Sequence, residues 1–296
     1  MTFSPTALLA ETDPKRQAAM TAALARRFRV EMLDVLHSKG TGHWGGSASA
    51  AELLTALYFR RMKVDPARPR DPGRDRLVLS KGHASLLLYT VLAHRGFFSP
   101  DLLATFRDAD STLQGHPCMR KTPGVDMSTG ALGHGLSVGL GMALAARLSG
   151  LPYWTYVVVG EGCLDEGQTW EAAMSAAKFR PERLVLLVDH NKVQLDGPSD
   201  EVMPLGSIAG KLEAFGWNVA PARYDGHDPA AILDSFRWLD GPGPWPKAVI
   251  YDTVKGKGVS FMEGTSKWHG SPVDDASYTA ARPELLAALA EAEAQL

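Results

Sequence analysis

TYVVVGEGCLDEGQTWEAAMSAAKFRPERLVLLVDHNKV, residues 155–193, is the stretch on which the fold turns. Residues 156–159 and 184–188 are unbroken apolar runs, too short for helices and too apolar to leave one face in water. Between them, residues 169–179 repeat alanine, methionine and tryptophan at helical spacing. A buried strand, a helix and a second buried strand form one βαβ unit of a parallel sheet covered by helices.

The same signature extends outward. Residues 77–79, 217–220 and 248–251 are further strand-sized apolar runs, and helical patterns occupy 84–93, 136–148, 208–215 and 229–239. Near the amino end, Asp13-Pro14 supplies an N-cap and a proline at the first helical position. A long amphipathic helix then runs to a stop at Lys39-Gly40. Ser49-Ala50-Ala51-Glu52 reads as a capping box opening a second helix that fades by Arg61. The Ala/Glu-rich tail, 283–296, reads as a surface helix. The expected organisation is a flexible segment over residues 1–12 and a single α/β domain over 13–296. That domain is a doubly wound, mainly parallel sheet with helices on both faces.

Among 296 residues, 31 Lys+Arg stand against 33 Asp+Glu, a formal charge of −2, and no basic run of five or more occurs. That lacks the footprint of a nucleic-acid binder. The longest apolar runs fall far below the ~18 residues needed to span a bilayer. Cys118 and Cys163 have no CxxC or Cys/His metal spacing, and the opening MTFSPTALLAETDPKRQ has neither a basic n-region nor an apolar h-region. A soluble cytoplasmic protein without a disulfide framework, and with neither membrane nor nucleic acid as partner, is the expectation.

Ligands of such sheets lie beyond the carboxyl ends of the strands. Gly160-Glu161-Gly162 follows one strand and Asp189-His190-Asn191-Lys192-Val193 the next. A carboxylate between glycines, an Asn oxygen and a backbone carbonyl suit a hard cation, magnesium or calcium, bridging phosphate oxygens. Taken singly, each also fits an ordinary turn. Four histidines stand in glycine-rich or polar loops: His43 in GHWGG, His83 in KGHAS, His116 in QGHP and His269 in WHG. One alone reads as a solvated loop residue. Together they suit sugar hydroxyls, diphosphate oxygens and proton transfer near neutral pH. Their spacing does not suit zinc. His37, His94 and His190 have no comparable setting.

SKGTGHWGGSASAAELLTALYF, LSKGHASLLLY, LQGHP, GVDMSTGALGHGLSVGLGMA, GEGCLDEGQTWEAA, LVDHNKVQLDG, DGHD and VKGKGVSFMEG…WHGSP follow one another between residues 27 and 272. In that order they resemble the amino-terminal, diphosphate-binding half of transketolase, a thiamine diphosphate (ThDP) enzyme. The resemblance implies that Glu161, Asn191 and the Val193 carbonyl hold the metal and that the Gly162 backbone contacts the diphosphate. It implies that His83 and His269 lie near the diphosphate and reacting centre, that His43 and His116 contact the donor sugar, and that Gly130 and Leu132 meet the cofactor rings. Glu166 becomes an acid linking paired active sites, so the implied catalytic set is His43, His116, His269 and Glu166. The implied activity is transfer of a two-carbon ketol unit from a ketose to an aldose, with the carbon–carbon chemistry carried by the cofactor. In the family the cofactor-activating glutamate lies on a pyrimidine-binding domain that follows this one. The chain is therefore expected to be inactive alone and to pair with a separate carboxy-terminal subunit, two of each chain, as in split transketolases.

Three departures stand out. Glu161 replaces the family's aspartate and is one methylene longer, whereas magnesium demands near-octahedral geometry. Trp44 replaces a proline and His134 a glutamine; both border the cofactor or sugar region, where they reshape the pocket or, for Trp44, only pack. Three other readings remain. One is another ThDP enzyme, such as a 1-deoxyxylulose-5-phosphate synthase-like protein. Another is the α subunit of a 2-oxo acid dehydrogenase, against which the four histidines argue. The third is a non-catalytic paralogue whose Gly-Glu-Gly loop no longer holds metal.

Overall fold

The computed structural model describes residues 3–296. Its strands are β1 (Arg76–Leu79), β2 (Thr155–Gly160), β3 (Leu184–His190), β4 (Asn218–Val219), β5 (Tyr224–Asp225) and β6 (Lys247–Asp252). Its first six helices are α1 (Ala7–Ala10), α2 (Pro14–Lys39), α3 (Gly45–Ser49), α4 (Ala51–Ala56), α5 (Ser85–Arg95) and α6 (His134–Leu148). The other six are α7 (Glu161–Leu164), α8 (Gly167–Phe179), α9 (Ser199–Val202), α10 (Ile208–Ala214), α11 (Pro229–Asp240) and α12 (Asp275–Glu293).

All strand pairings are parallel, in the order β1-β2-β3-β6-β4, with β5 beside β6 further along the edge that β4 begins. Side chains alternate between two cores with the period of a strand. Leu77, Leu79, Tyr156, Val158, Val185, Leu187, Val249 and Tyr251 face α2, α4, α5 and α11. Val78, Val157, Val159, Leu186, Val188 and Ile250 face α6, α8 and α10. Both faces are covered, which is why the strand sequences carry no polar alternation.

The amino-terminal cap forms as the sequence predicts. The Asp13 carboxylate accepts from Lys15 N and Arg16 N, and Gly40 ends α2 at φ 58°, a left-handed conformation suited to glycine. At the amino end, α1 buries Leu8, whose carbonyl accepts from Arg60 Nη1 at 2.5 Å. Two expectations need correction. The capping box is absent because Ser49 ends α3 and turns its hydroxyl to Asp189, while Glu52 turns to Arg29. The tail helix begins at Asp275, not Pro283, and packs along α2 with Ala281, Leu285 and Ala292 buried. Its cap is Asp274, which accepts from Ser277 N. The two-residue β5 escaped the sequence reading because it has no apolar run. Cys118 and Cys163 are free. Among the described residues, no helix is long and apolar enough to cross a membrane.

Candidate functional site

The carboxyl ends of β1, β2, β3 and β6 open on one cleft of about 250 Å³. Lys81 and His83 enter after β1, Glu161 and Gly162 after β2, Asn191, Val193 and Gln194 after β3, and Lys255 after β6. Gly130, Leu132 and His269 close it from the connecting loops. Close backbone approach is built in at Gly46 and Gly82. A Cβ on Gly46 would lie 2.8 Å from His83 Nε2, and one on Gly82 would lie 2.7 Å from Thr129 Oγ1.

Asp189, at the end of β3, is the hub beneath this floor. It is fully buried, and its carboxylate accepts from Lys81 Nζ, Ser49 Oγ at 2.7 Å, Asn191 Nδ2 at 3.2 Å and Thr253 Oγ1. Burial alone would raise its pKa, but the Lys81 ammonium outweighs that and holds it below the ordinary aspartate value. One carboxylate thus ties together segments following β1, β3 and β6.

The three oxygen sources expected after β2 and β3 share the cleft. Glu161 Oε2 accepts from Lys192 N at 2.6 Å, and Glu161 Oε1 lies 3.4 Å from His190 Nε2. Burial pushes the Glu161 carboxyl up, with His190 opposing. Asn191 Oδ1 accepts from Val193 N at 3.2 Å, and the Val193 carbonyl accepts from Lys255 Nζ at 2.9 Å. Among the described residues, no group of three His, Cys, Asp or Glu is arranged to hold a metal. A cation here therefore needs Asn191 and backbone oxygens besides Glu161.

Three histidines meet at the cleft's rim. Ring centroids lie 4.8 Å apart for His83–His269, 5.4 Å for His43–His83 and 5.6 Å for His43–His269. Burial lowers all three below the ordinary histidine value, with repulsion from nearby cations adding to it. His43 falls to about 4 and His269 to about 3. They are neutral at physiological pH. Lysine and arginine only donate, so Lys255 Nζ, 2.7 Å from His269 Nδ1, and Arg107 Nη2, 3.3 Å from His43 Nδ1, leave the ring proton of each histidine on Nε2. Lys255 itself falls to about 8, chiefly through burial.

His116 stands beside this group: a Cβ on Gly130 would lie 3.5 Å from its ring. Glu166 is exposed and precedes α8, against Gly133 and outside the cleft. Trp44 is fully buried and donates through Nε1 to the Gly256 carbonyl at 3.2 Å, so its role is packing. His134 is exposed, its Nδ1 3.2 Å from the Leu132 carbonyl. His190, given no role from sequence, sits between Glu161 and Asp252. Lys81, Lys255, Gln194 and Arg107 were also missed. The first three carried a signal, because each stands just past a strand's carboxyl end. Arg107 did not.

The family described as transketolase, thiamine diphosphate binding domain, matches residues 20–288. This chain belongs to that family. It is 44% identical over 261 residues to the 6-deoxy-6-sulfo-D-fructose transketolase subunit SqwG of Clostridium sp. strain MSTE9, covering 88% of this chain and 94% of that protein. It is 42% identical over 245 residues to an apulose-4-phosphate transketolase subunit of Phocaeicola vulgatus, covering 83% of this chain and 86% of that one. Among solved structures, transketolase from Campylobacter jejuni superposes with a TM-score of 0.83 at 27% identity, over 92% of this chain and 45% of that one. The chain thus spans less than half of the solved transketolase it matches and most of the two subunits.

The cleft suits a diphosphate in this transketolase-family domain. Among the described residues, Gln194 Nε2 is buried without a partner, a donor awaiting an acceptor, and Gly162 presents bare backbone, with a Cβ there only 3.3 Å from Leu132. The hard oxygens of Glu161, Asn191 and Val193 beside them suit a divalent cation.

Proposed function

We propose that this chain is the diphosphate-binding subunit of a two-chain transketolase. With ThDP and a divalent cation it would transfer a two-carbon ketol unit from a ketose to an aldose. A separate chain supplies the pyrimidine-binding part, two copies of each assemble, and this chain alone is inactive. The observation that carries the reading is the convergence of Glu161, Asn191, Val193, Gly162 and three neutral histidines on one cleft. The partner is supported by relatives named as subunits that match this chain over 86–94% of their own length. Those relatives are named for a sulfonated ketose and a ketose phosphate, so we infer a donor ketose with an anionic tail.

When bound, ThDP supplies the carbanion-stabilising chemistry of carbon–carbon cleavage and formation. The chain's residues bind and orient. Glu161, Asn191 and the Val193 carbonyl would hold the cation; Gly162 N–H, Gln194 Nε2 and Lys255 would meet the diphosphate; Gly130 and Leu132 would support the rings. The Nε2–H groups of His43 and His269 would donate to substrate hydroxyls and orient them, which leaves His116 to move their protons. His83, in ring contact with both His43 and His269, would contact the diphosphate. Glu166, on the surface, would link the paired active sites.

Native mass spectrometry of the chain from its source, at low salt with magnesium, tests this. A stoichiometric second chain with bound ThDP is expected, followed by turnover of a ketose–aldose pair. A chain that stays alone and takes up no ThDP, with or without candidate partners, overturns the reading.

A further inference from the structure

A cavity larger than the cleft lies elsewhere in the domain. A space of about 600 Å³ opens beside the amino-terminal end of β1, between the loop before that strand and residues 119–126. Five cationic side chains line it, Arg70, Arg74, Arg76, Arg120 and Lys121, against one carboxylate, Asp126, leaving four positive charges on a chain whose net charge is −2. Asp126 is already committed: it accepts from Arg74 Nη2 at 2.6 Å, from Arg76 Nη1 at 3.2 Å and from Leu77 N at 2.9 Å. Asp71 of the same loop pairs with Arg68. Arg70, Arg120 and Lys121 are exposed, and among the described residues their side chains have no hydrogen bond or ion pair.

We propose that this cavity binds a small molecule carrying several phosphate charges, at a site separate from the cleft. The buried Arg74–Asp126 pair forms the floor, and the exposed Arg70, Arg120 and Lys121 side chains form a rim of charge-assisted donors for phosphate oxygens. Met119 and Met142 supply an apolar wall for the ligand's remaining body. The volume falls within the range of small-molecule sites, about 300–1,000 Å³. From Arg76 to Leu79, β1 puts about 10 Å between this cavity and the cleft at roughly 3.3 Å per residue, and Lys81 of the cleft lies two residues beyond the strand's end. One ligand cannot occupy both.

Inorganic tripolyphosphate, titrated by calorimetry into the full chain without metal at about 0.1 M salt, is the probe. A triple variant, Arg70→Ser with Arg120→Ser and Lys121→Ser, changes only exposed side chains and should fold. Its affinity is expected to fall about tenfold or more, as the loss of charge-assisted hydrogen bonds implies. Lys255→Ala, which alters the cleft, should leave that affinity within about twofold, since the sites lie farther apart than the Debye length of about 10 Å at 0.1 M salt. Absence of saturable binding to the unaltered chain overturns the proposal. So does binding that the triple variant retains, or binding that only Lys255→Ala weakens.

Discussion

Replacing Asp189 with alanine tests whether one carboxylate holds the cleft together. The change strands the Lys81 ammonium, itself buried, with only the Gly46 carbonyl at 2.5 Å and the Ser49 hydroxyl at 3.2 Å. Removing one member of a buried ion pair costs about 3–5 kcal/mol, a large part of the roughly 5–15 kcal/mol that stabilises a typical domain. With an m-value of about 3 kcal/mol/M in urea, the unfolding midpoint should fall by about 1–1.7 M at unchanged m. The pH dependence has a definite sign. Lys81 holds Asp189 below its unfolded value of about 3.9, so the stabilisation is complete above that pH and is lost as the pH falls through the folded value. The double variant Lys81→Met/Asp189→Leu removes both charges and should recover most of the loss. A single-variant cost below about 1 kcal/mol, or a double variant no more stable than the single, would refute the ion-pair reasoning.

Glu161→Gln keeps an acceptor for Lys192 N but removes a charge that burial disfavours, so its unfolding midpoint should match or exceed that of the unaltered chain. Magnesium-dependent ThDP binding, followed by calorimetry in the assembled protein, should weaken about tenfold or more as a charged cation ligand is lost; unchanged magnesium dependence would remove Glu161 from the metal site. In proton NMR of the free chain, His43 and His269 should not titrate between pH 8 and 5.5, their midpoints lying near 4 and 3. Because the fold favours the neutral rings, their contribution to stability is lost as pH falls from about 6.5 toward those values; a midpoint near 6.5 for either places that ring in water. Trp44→Phe strands the Gly256 carbonyl and should lower stability by about 1–3 kcal/mol, measured by urea unfolding, where no change would mean water has replaced the indole.

The parallel sheet was legible because β2 and β3 are buried on both faces, so apolar runs alone identify them. That Glu161, Asn191 and Val193 share one cleft was legible because strand ends address ligands in this architecture, whatever the strands' identities. What misled was local grammar overruled by distant partners. Ser49 and Glu52 have the spacing of a capping box, yet their side chains are claimed by Asp189 and Arg29, which no local window contains. Pro283 looks like a helix start, but α12 already runs from Asp275 because Asp274 caps it and Tyr278 stacks on His37, ring centroids 3.9 Å apart. Arg107 was invisible for another reason: it reaches His43 from a loop residue at φ 65°, a conformation its neighbours in sequence do not signal.

His227, in the DGHD motif, shows how the scaffold reaches the cleft without entering it. Its Nε2 accepts from Val254 N at 2.8 Å, so its proton lies on Nδ1, where Glu52 Oε2 receives it at 3.2 Å. Glu52 is buried and held by Arg29 Nη1 and Nη2 at 2.5 and 2.6 Å, and Arg29 Nη2 also donates to the Ala48 carbonyl at 2.7 Å. The chain of contacts therefore runs from α2 through α4 to the peptide just before Lys255. Lys255 in turn sets the tautomer of His269 and bonds the Val193 carbonyl. A neutral His227 can relay this order only while it accepts from one side and donates to the other. That asymmetry explains why a histidine, and not a lysine, which only donates, suits the position. It also means that the geometry of the cleft is set partly by an ion pair inside the opposite helical layer, so substitutions at Arg29 or Glu52 act on Lys255 through the backbone, without touching any ligand.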